Sequence, residues 1–412
     1  MNVPKLRFPE FKGEWEEKRI NDYAECRAGA TPDTKNSDYW DNGTIPWMSS
    51  GEVNNKFIYS TEKKITQLGY DKSSTQLLPI NTVVIALAGQ GKTRGTVAIT
   101  KTEVCTNQSL CGILNSSELN SEYLFQFLSS QYKQLRASST GGDESRGGLN
   151  LQIIGNFRLP YTSFDEQQKI ADFLSNVDSI ITAETKILNT LQKKKKALMQ
   201  KLFTQQLRFK SNDGTDFPAW EEKKLGDVCE VTKLAGFEFT EYVRYKDSGK
   251  IIALRGLNVK NGRLVLDDVK YIDDSNLDKL SRSKLYKNDI LFTYIGTVGQ
   301  VAVIHEDNRY YLAPNVSRLR IKDTNLISSF LMYQLSDLRF YKKRIYPLIA
   351  SSSQPALSME NIRLFKIQVP SKSEQQKIAD CLSSMDSLIQ TQQKVVTTWQ
   401  QRKKALLQQM FI

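Results

Sequence analysis

The segment Ala86-Leu-Ala-Gly-Gln-Gly91-Lys92-Thr93 is the nearest this chain comes to a catalytic motif. It satisfies a relaxed P-loop pattern and follows a strand-like run, Thr82–Ala88. A phosphate cradle needs a helix after its glycines, because the helix N-terminal amides hold the anion. Here Arg94-Gly-Thr-Val-Ala-Ile-Thr100 follows and reads as a strand, which predicts a glycine-rich hairpin with Lys92 and Arg94 at its tip. Asp33 and Glu62-Lys63-Lys64 supply carboxylates and lysines for a nuclease, but such matches arise by chance. An adenine methyltransferase needs an Asn/Asp-Pro-Pro-aromatic loop, and no Pro-Pro pair exists. His305 is the single histidine, which leaves neither a Ser-His-Asp arrangement nor a two-histidine metal site. The five cysteines, at 26, 105, 111, 229 and 381, form no CxxC pair and argue against zinc or a disulfide framework. No catalytic constellation survives.

Composition points elsewhere. The chain of 412 residues is long enough for several domains, and 40% hydrophobic with 25% charged residues fits a soluble globular protein. No apolar run reaches the ~20 residues of a membrane span, and the first residues lack a signal-peptide stretch. A cytoplasmic protein is therefore expected. The net charge of +12 favours a polyanionic partner such as nucleic acid.

What must position any such surface is an internal repeat. EQQKIAD occurs at Glu166–Asp172 and again at Glu374–Asp380, 208 residues apart. Phe173–Ile181 answers Cys381–Ile389, and Lys194–Phe203 answers Arg402–Phe411. Each half opens alike, FPEFKGEWEEKRI at Phe8–Ile20 against FPAWEEKKL at Phe217–Leu225. Between opening and close, identity is poor. Short β-type runs are predicted at 44–48, 57–61, 82–88 and 95–100, and again at 251–255, 264–266, 289–294 and 300–304. The turn at Tyr294–Gln300 matches the Lys92 hairpin but carries no lysine. A helical patch follows in each half, at 121–135 and 325–339.

The closing segments carry apolar residues at spacings of three and four, without internal Gly or Pro, and so predict two long helices. Ser163 or Asp165, and Ser371 or Ser373, are the expected N-caps. About 40 residues at ~1.5 Å each make a rod of roughly 60 Å. Its apolar stripe is most simply covered by the other copy in an antiparallel pair. Glu166, Gln167, Lys169, Asp172 and their counterparts Glu374, Gln375, Lys377, Asp380 are expected on an outer face that binds one kind of partner twice. The alternative is a plain stalk or adaptor. The basic runs Lys193–Lys196 and Arg402–Lys404 read first as solvated helix faces.

With this order of parts in view, the chain resembles the specificity subunit of type I restriction–modification systems over its whole length. The junctions Pro160/EQQKIAD and Pro370/EQQKIAD and the endings Ala197–Phe203 and Ala405–Phe411 carry the resemblance. It implies an α+β fold: two β-rich target-recognition domains, 1–163 and 211–371, separated by two long antiparallel coiled-coil-like helices, 164–210 and 372–412, with pseudo-twofold symmetry from a tandem duplication. It implies a non-catalytic chain without cofactors, each domain reading one half of a bipartite asymmetric site on double-stranded DNA. It also implies two modification (methyltransferase) subunits and two restriction (endonuclease/translocase) subunits as partners. Those partners would use S-adenosylmethionine, ATP and Mg. Polar loops nominate the DNA-contacting residues: Ser49, Ser50, Lys92, Arg94 and Arg146 in the first domain, Arg255, Asn258, Thr297, Ser352 and Gln354 in the second.

Overall fold

The computed structural model describes residues 3–89, 91–139, 148–349 and 355–411. The chain forms an α+β fold of two compact units, Met1–Lys186 with Gln393–Ile412, and Ile187–Gln392. Each long helix therefore contributes to both.

In the N-terminal unit a five-stranded sheet runs Cys26–Ala28, Leu110–Ile113, Val83–Ala86, Val97–Thr100, Phe57–Ile58. All pairs are antiparallel except the last, where Phe57 lies opposite Ile99 in parallel. A second sheet places Ile45–Met48 between Lys63–Ile65 and Cys105–Thr106. Glu16–Arg19 pairs with Arg158–Tyr161 and ties the opening segment to the residues before the first long helix.

The C-terminal unit repeats this plan. Its larger sheet runs Cys229–Lys233, Val316–Ile321, Ile290–Thr293, Val301–Val303. Ile252–Leu254 lies between Lys270–Tyr271 and, in parallel, Tyr310–Leu312. Glu221–Lys224 pairs with Lys366–Val369. The strands predicted around 45–48, 83–86, 97–100, 252–254, 290–293 and 301–303 all form, slightly trimmed at their ends.

Each glycine hairpin is held against a helical segment. Gly95 (φ +79°) leaves room for Leu135 and Arg136, and a Cβ there would lie 3.3 Å from the Arg136 Cγ. Gly299 (φ +90°) packs on Tyr341, whose ring a Cβ would meet at 3.0 Å. The Lys92 hairpin leads into the strand Val97–Thr100 and opens no helix, which removes the P-loop reading.

The long helices span Phe164–Phe203 and Lys372–Met410, beginning just after Ser163 and Ser371 as their capping chemistry predicts. In the N-terminal unit, Ile170, Ala171 and Leu174 join one core with Met410 and Phe411, while Asp178 binds Lys403 at 2.6 Å. In the C-terminal unit, Ile378, Ala379 and Leu382 share a core with Leu202, and Lys195 binds Asp386 at 2.7 Å. Position rises along one helix as it falls along the other in both units, so the helices pack antiparallel. Fully burying an Ile, Leu, Met or Phe side chain of this kind contributes about 1.5–3 kcal/mol. The pairing does not cover the whole stripe: Phe173, Ile180, Ile187 and Leu388 stay exposed.

Candidate nucleic-acid interface

The C-terminal unit holds an open, polar-rimmed cleft where three loops meet. The first leaves the strand Ile252–Leu254 and turns at Arg255–Asn258. Arg255 donates from Nη2 to the Asp268 carboxylate (2.7 Å) and backbone carbonyl (2.9 Å), and stays partly exposed. Second comes the hairpin Val259–Lys260 with Arg263–Leu264, whose turn Asn261-Gly262 has both φ angles positive, +51° and +81°. A two-residue turn of that kind matches the strand twist and favours Asn-Gly. The third is the glycine hairpin ending at Thr297 and Gln300. Tyr245 and Asn315 complete the rim.

Arg255 and Thr297, two of the residues picked from sequence, thus meet in one cleft. Asn258 does not belong with them. It is fully buried: its Oδ1 accepts the Arg255 N–H at 3.0 Å, and its Nδ2 donates to the carbonyls of Val265 and Asp268 at 2.8 Å each. It shapes the turn that presents Arg255. Lys260, Asn261 and Gln300 escaped the sequence reading. The signal for the first two was the Asn261-Gly262 dipeptide, a strong mark of a hairpin tip.

The N-terminal unit builds the same turn from other residues. After the strand Ile45–Met48, Ser49 caps a 3-10 helix, its N–H and Oγ both bonded to Glu52 at 2.7 and 2.9 Å. Ser49 and Ser50 are half-buried, and Lys92 is exposed on its hairpin. Arg94, expected at that hairpin's tip, is instead 4% exposed. Three residues ahead of the strand Val97–Thr100, its side chain is buried and offers DNA little open surface. Arg146, Ser352 and Gln354 lie outside the described residues.

Four of the eight residues expected on an outer face of the repeated heptapeptide behave differently from expectation. Glu166, Gln167, Glu374 and Gln375 are buried, not on an outer face. Glu166 accepts two bonds from Arg7 (2.7 and 2.8 Å), one from the Trp15 indole (3.1 Å) and one from Thr162. Burial opposes its ionisation most strongly, but Arg7, Thr162 and Trp15 together outweigh it and hold the carboxyl below its usual range. Glu374 repeats the arrangement with Arg208 and Trp220. Gln167 accepts from the Asn120 N–H at 2.9 Å and donates to the Glu118 and Thr162 carbonyls. Gln375 does the same with Ile327, Asn325 and Pro370. The physical reason is specific: each helix start is latched into its own unit by a polar network that repays desolvation. Lys169, Asp172 and Asp380 remain exposed and Lys377 is half-buried. Lys169 binds Glu10 at 2.6 Å and lies over Phe8, while Lys377 lies over Phe217.

The profile of the family described as "Type I restriction modification DNA specificity domain" matches residues 12–193 and 219–398. The chain belongs to this family. It is 27% identical over 406 residues to the specificity subunit of the type I restriction enzyme MjaIX of Methanocaldococcus jannaschii, covering 96% of this chain and 92% of that one. The MjaVIII specificity subunit of the same organism is 25% identical, with 98% and 92% covered. In fold, the chain is similar to the crystallised S subunit of a type I restriction–modification system from M. genitalium, with TM-score 0.61 and 17% identity over 100% of this chain and 99% of the other. It is thus a non-catalytic DNA-specificity subunit of a type I restriction–modification system. Such subunits work with DNA and with modification and restriction subunits, and need no catalytic cofactor of their own. Among the described residues, no group of three or more His, Cys, Asp or Glu could hold a metal, and no helix is long and apolar enough to cross a membrane.

Proposed function

We propose that each unit reads one half of a bipartite, asymmetric DNA site, with reading domains at 1–163 and 211–371. One observation supports this above the rest: the three strands of the small sheet and four strands of the larger one recur in the same order, yet the turn after the central strand of the small sheet carries Ser49-Ser50-Gly51-Glu52 in one unit and Arg255-Gly256-Leu257-Asn258 in the other. Alike scaffolds with unlike side chains at equivalent turns suit two different half-sites. Ser49, Ser50 and Lys92 serve the first reader, and Arg255, Thr297 and Lys260 the second.

The long helices would then set the number of unread base pairs between half-sites and dock two modification subunits, which two restriction subunits join. Equivalent positions that are exposed, or half-buried in the case of Lys377, suit that docking: Lys169 and Lys377, Asp172 and Asp380, Ile180 and Leu388. Ile180→Glu and Leu388→Glu should each remove one modification subunit from the complex, read by mass. Loss of both from either single change would count against two equivalent docking faces.

The test of DNA reading is a binding titration of the assembled complex at two salt concentrations, with mapping of methylated positions. For a reader the logarithm of the binding constant falls linearly with the logarithm of salt concentration, and a split site is marked. A helical-stalk adaptor shows neither.

A further inference from the structure

We infer that Gln300 is a base-reading side chain of the C-terminal unit, specific for an adenine edge, and that Arg263 is the residue that positions it. This rests on the cleft being the DNA face, as proposed above.

Gln300 is fixed at both ends. Its N–H donates to Thr293 Oγ1 at 2.9 Å, and its carbonyl accepts the Thr293 N–H at 2.9 Å. Its side-chain Oε1 accepts the Asn261 N–H at 3.0 Å. That one bond settles which way the amide faces. Oε1 is held towards the hairpin tip with one lone pair still free, and Gln300 lines the cleft together with Thr297 and Asn315, which leaves the two Nε2 donors for an incoming base. A neighbouring acceptor and donor in one plane complement adenine, which offers N6–H and N7 side by side in the major groove. Guanine presents two acceptors there and cytosine a donor, so neither matches both ends of the amide.

The hairpin that sets this orientation is itself clamped. Arg263, across from Lys260, donates from Nη2 to the Asp386 carbonyl at 2.9 Å and lies 3.5 Å from its carboxylate. That carboxylate also takes Lys195 Nζ at 2.7 Å and the Tyr333 hydroxyl at 2.8 Å. Gly262 rests on Met332, where a Cβ would come within 3.2 Å of Sδ. A chain of contacts therefore runs from the second long helix through Arg263 and Asn261 to the Gln300 amide. A reader held in this way loses little side-chain freedom on binding, which sharpens discrimination.

The test is competition binding of the assembled complex against duplexes randomised across the half-site of the C-terminal unit. Gln300→Ala should lower the preference for adenine roughly 10- to 100-fold at one position and leave the others intact. Gln300→Glu, which keeps the Asn261 bond but replaces the donor by an acceptor, should move the preference at that position to cytosine. Arg263→Lys should blunt the same position with unchanged thermal unfolding; a purely structural role would move stability and leave the base profile alone. Lys260→Ala is the control, weakening all sequences and lowering the salt slope by about one. If Lys260→Ala acts and the Gln300→Ala profile equals wild type, the Gln300 assignment is overturned alone. If Lys260→Ala changes neither affinity nor slope, the cleft reading falls and this inference with it.

Discussion

Trp220 donates its indole N–H to the Glu374 carboxylate at 3.1 Å, joining the opening of the second repeat to the residue that starts its closing heptapeptide, 154 positions later. Trp15 and Glu166 do the same in the first repeat. The two most alike parts of each half are therefore joined by one contact, buried in the first repeat and partly buried in the second, and their likeness has a cause inside the chain. Docking of partners is not needed to explain it.

Removing the acceptor should cost folding energy before it costs assembly. Glu374→Ala leaves Arg208 and Trp220 without their partner and should destabilise the C-terminal unit by about 3 kcal/mol. Trp220→Phe loses one charge-assisted bond, about 1.5 kcal/mol. Urea unfolding, with hydrogen exchange followed at Lys366–Val369, measures both. Unchanged stability with loss of a modification subunit would return Glu374 to the docking face.

Acid should loosen the N-terminal unit through Glu166. Its carboxyl lies below the ordinary 4.5 in the folded chain, despite burial, because Arg7, Thr162 and Trp15 bind the ionised form. The unfolded chain thus binds the proton more readily. The stabilisation is complete above about pH 4.5 and disappears as pH falls through the lower folded value. Glu166→Gln should flatten this acid limb, measured as urea midpoints against pH, while lowering stability at neutral pH.

How far the sequence could be read depends on where partners lie. Strands such as Val83–Ala86 and Ile290–Thr293 announce themselves by β-branched and aromatic residues. Glu16–Arg19 is wholly charged, and only its distant pairing with Arg158–Tyr161 makes it a strand. A helix pattern marks polar Glu166 and Gln167 as solvent-facing; Arg7 and Asn120, which draw them inward, are remote in sequence. The proposed reading cleft shows the same limit. Polar loops led to Arg255 and Thr297, but whether Asn258 faces out or caps its own turn depends on where Val265 and Asp268 place their carbonyls.

Asn258 and Thr297 should accordingly separate under mutation. Asn258→Ala strips three bonds from a fully buried site and should cost about 2–3 kcal/mol of stability. Thr297 is exposed, and its Thr297→Ala change should stay within about 0.5 kcal/mol. In DNA binding the order reverses for folded protein: Thr297→Ala weakens the C-terminal half-site, whereas the remaining folded Asn258→Ala loses affinity only as Arg255 becomes less well placed. Urea midpoints beside duplex titrations decide it.

Shortening the helix pair tests the spacer role without touching a reading loop. In the antiparallel register of Asp178 with Lys403 and of Lys195 with Asp386, removing residues 182–188 from one helix and 393–399 from the other takes one heptad from each while keeping the apolar stripes in phase. Seven residues at ~1.5 Å shorten the pair by about 10 Å. That length corresponds to about three base pairs at ~3.4 Å each. Methylation mapping with the shortened subunit should find both half-sites unaltered and the unread spacer reduced by about three pairs. An altered half-site with an unchanged spacer would mean that the helices do not set the distance between readers.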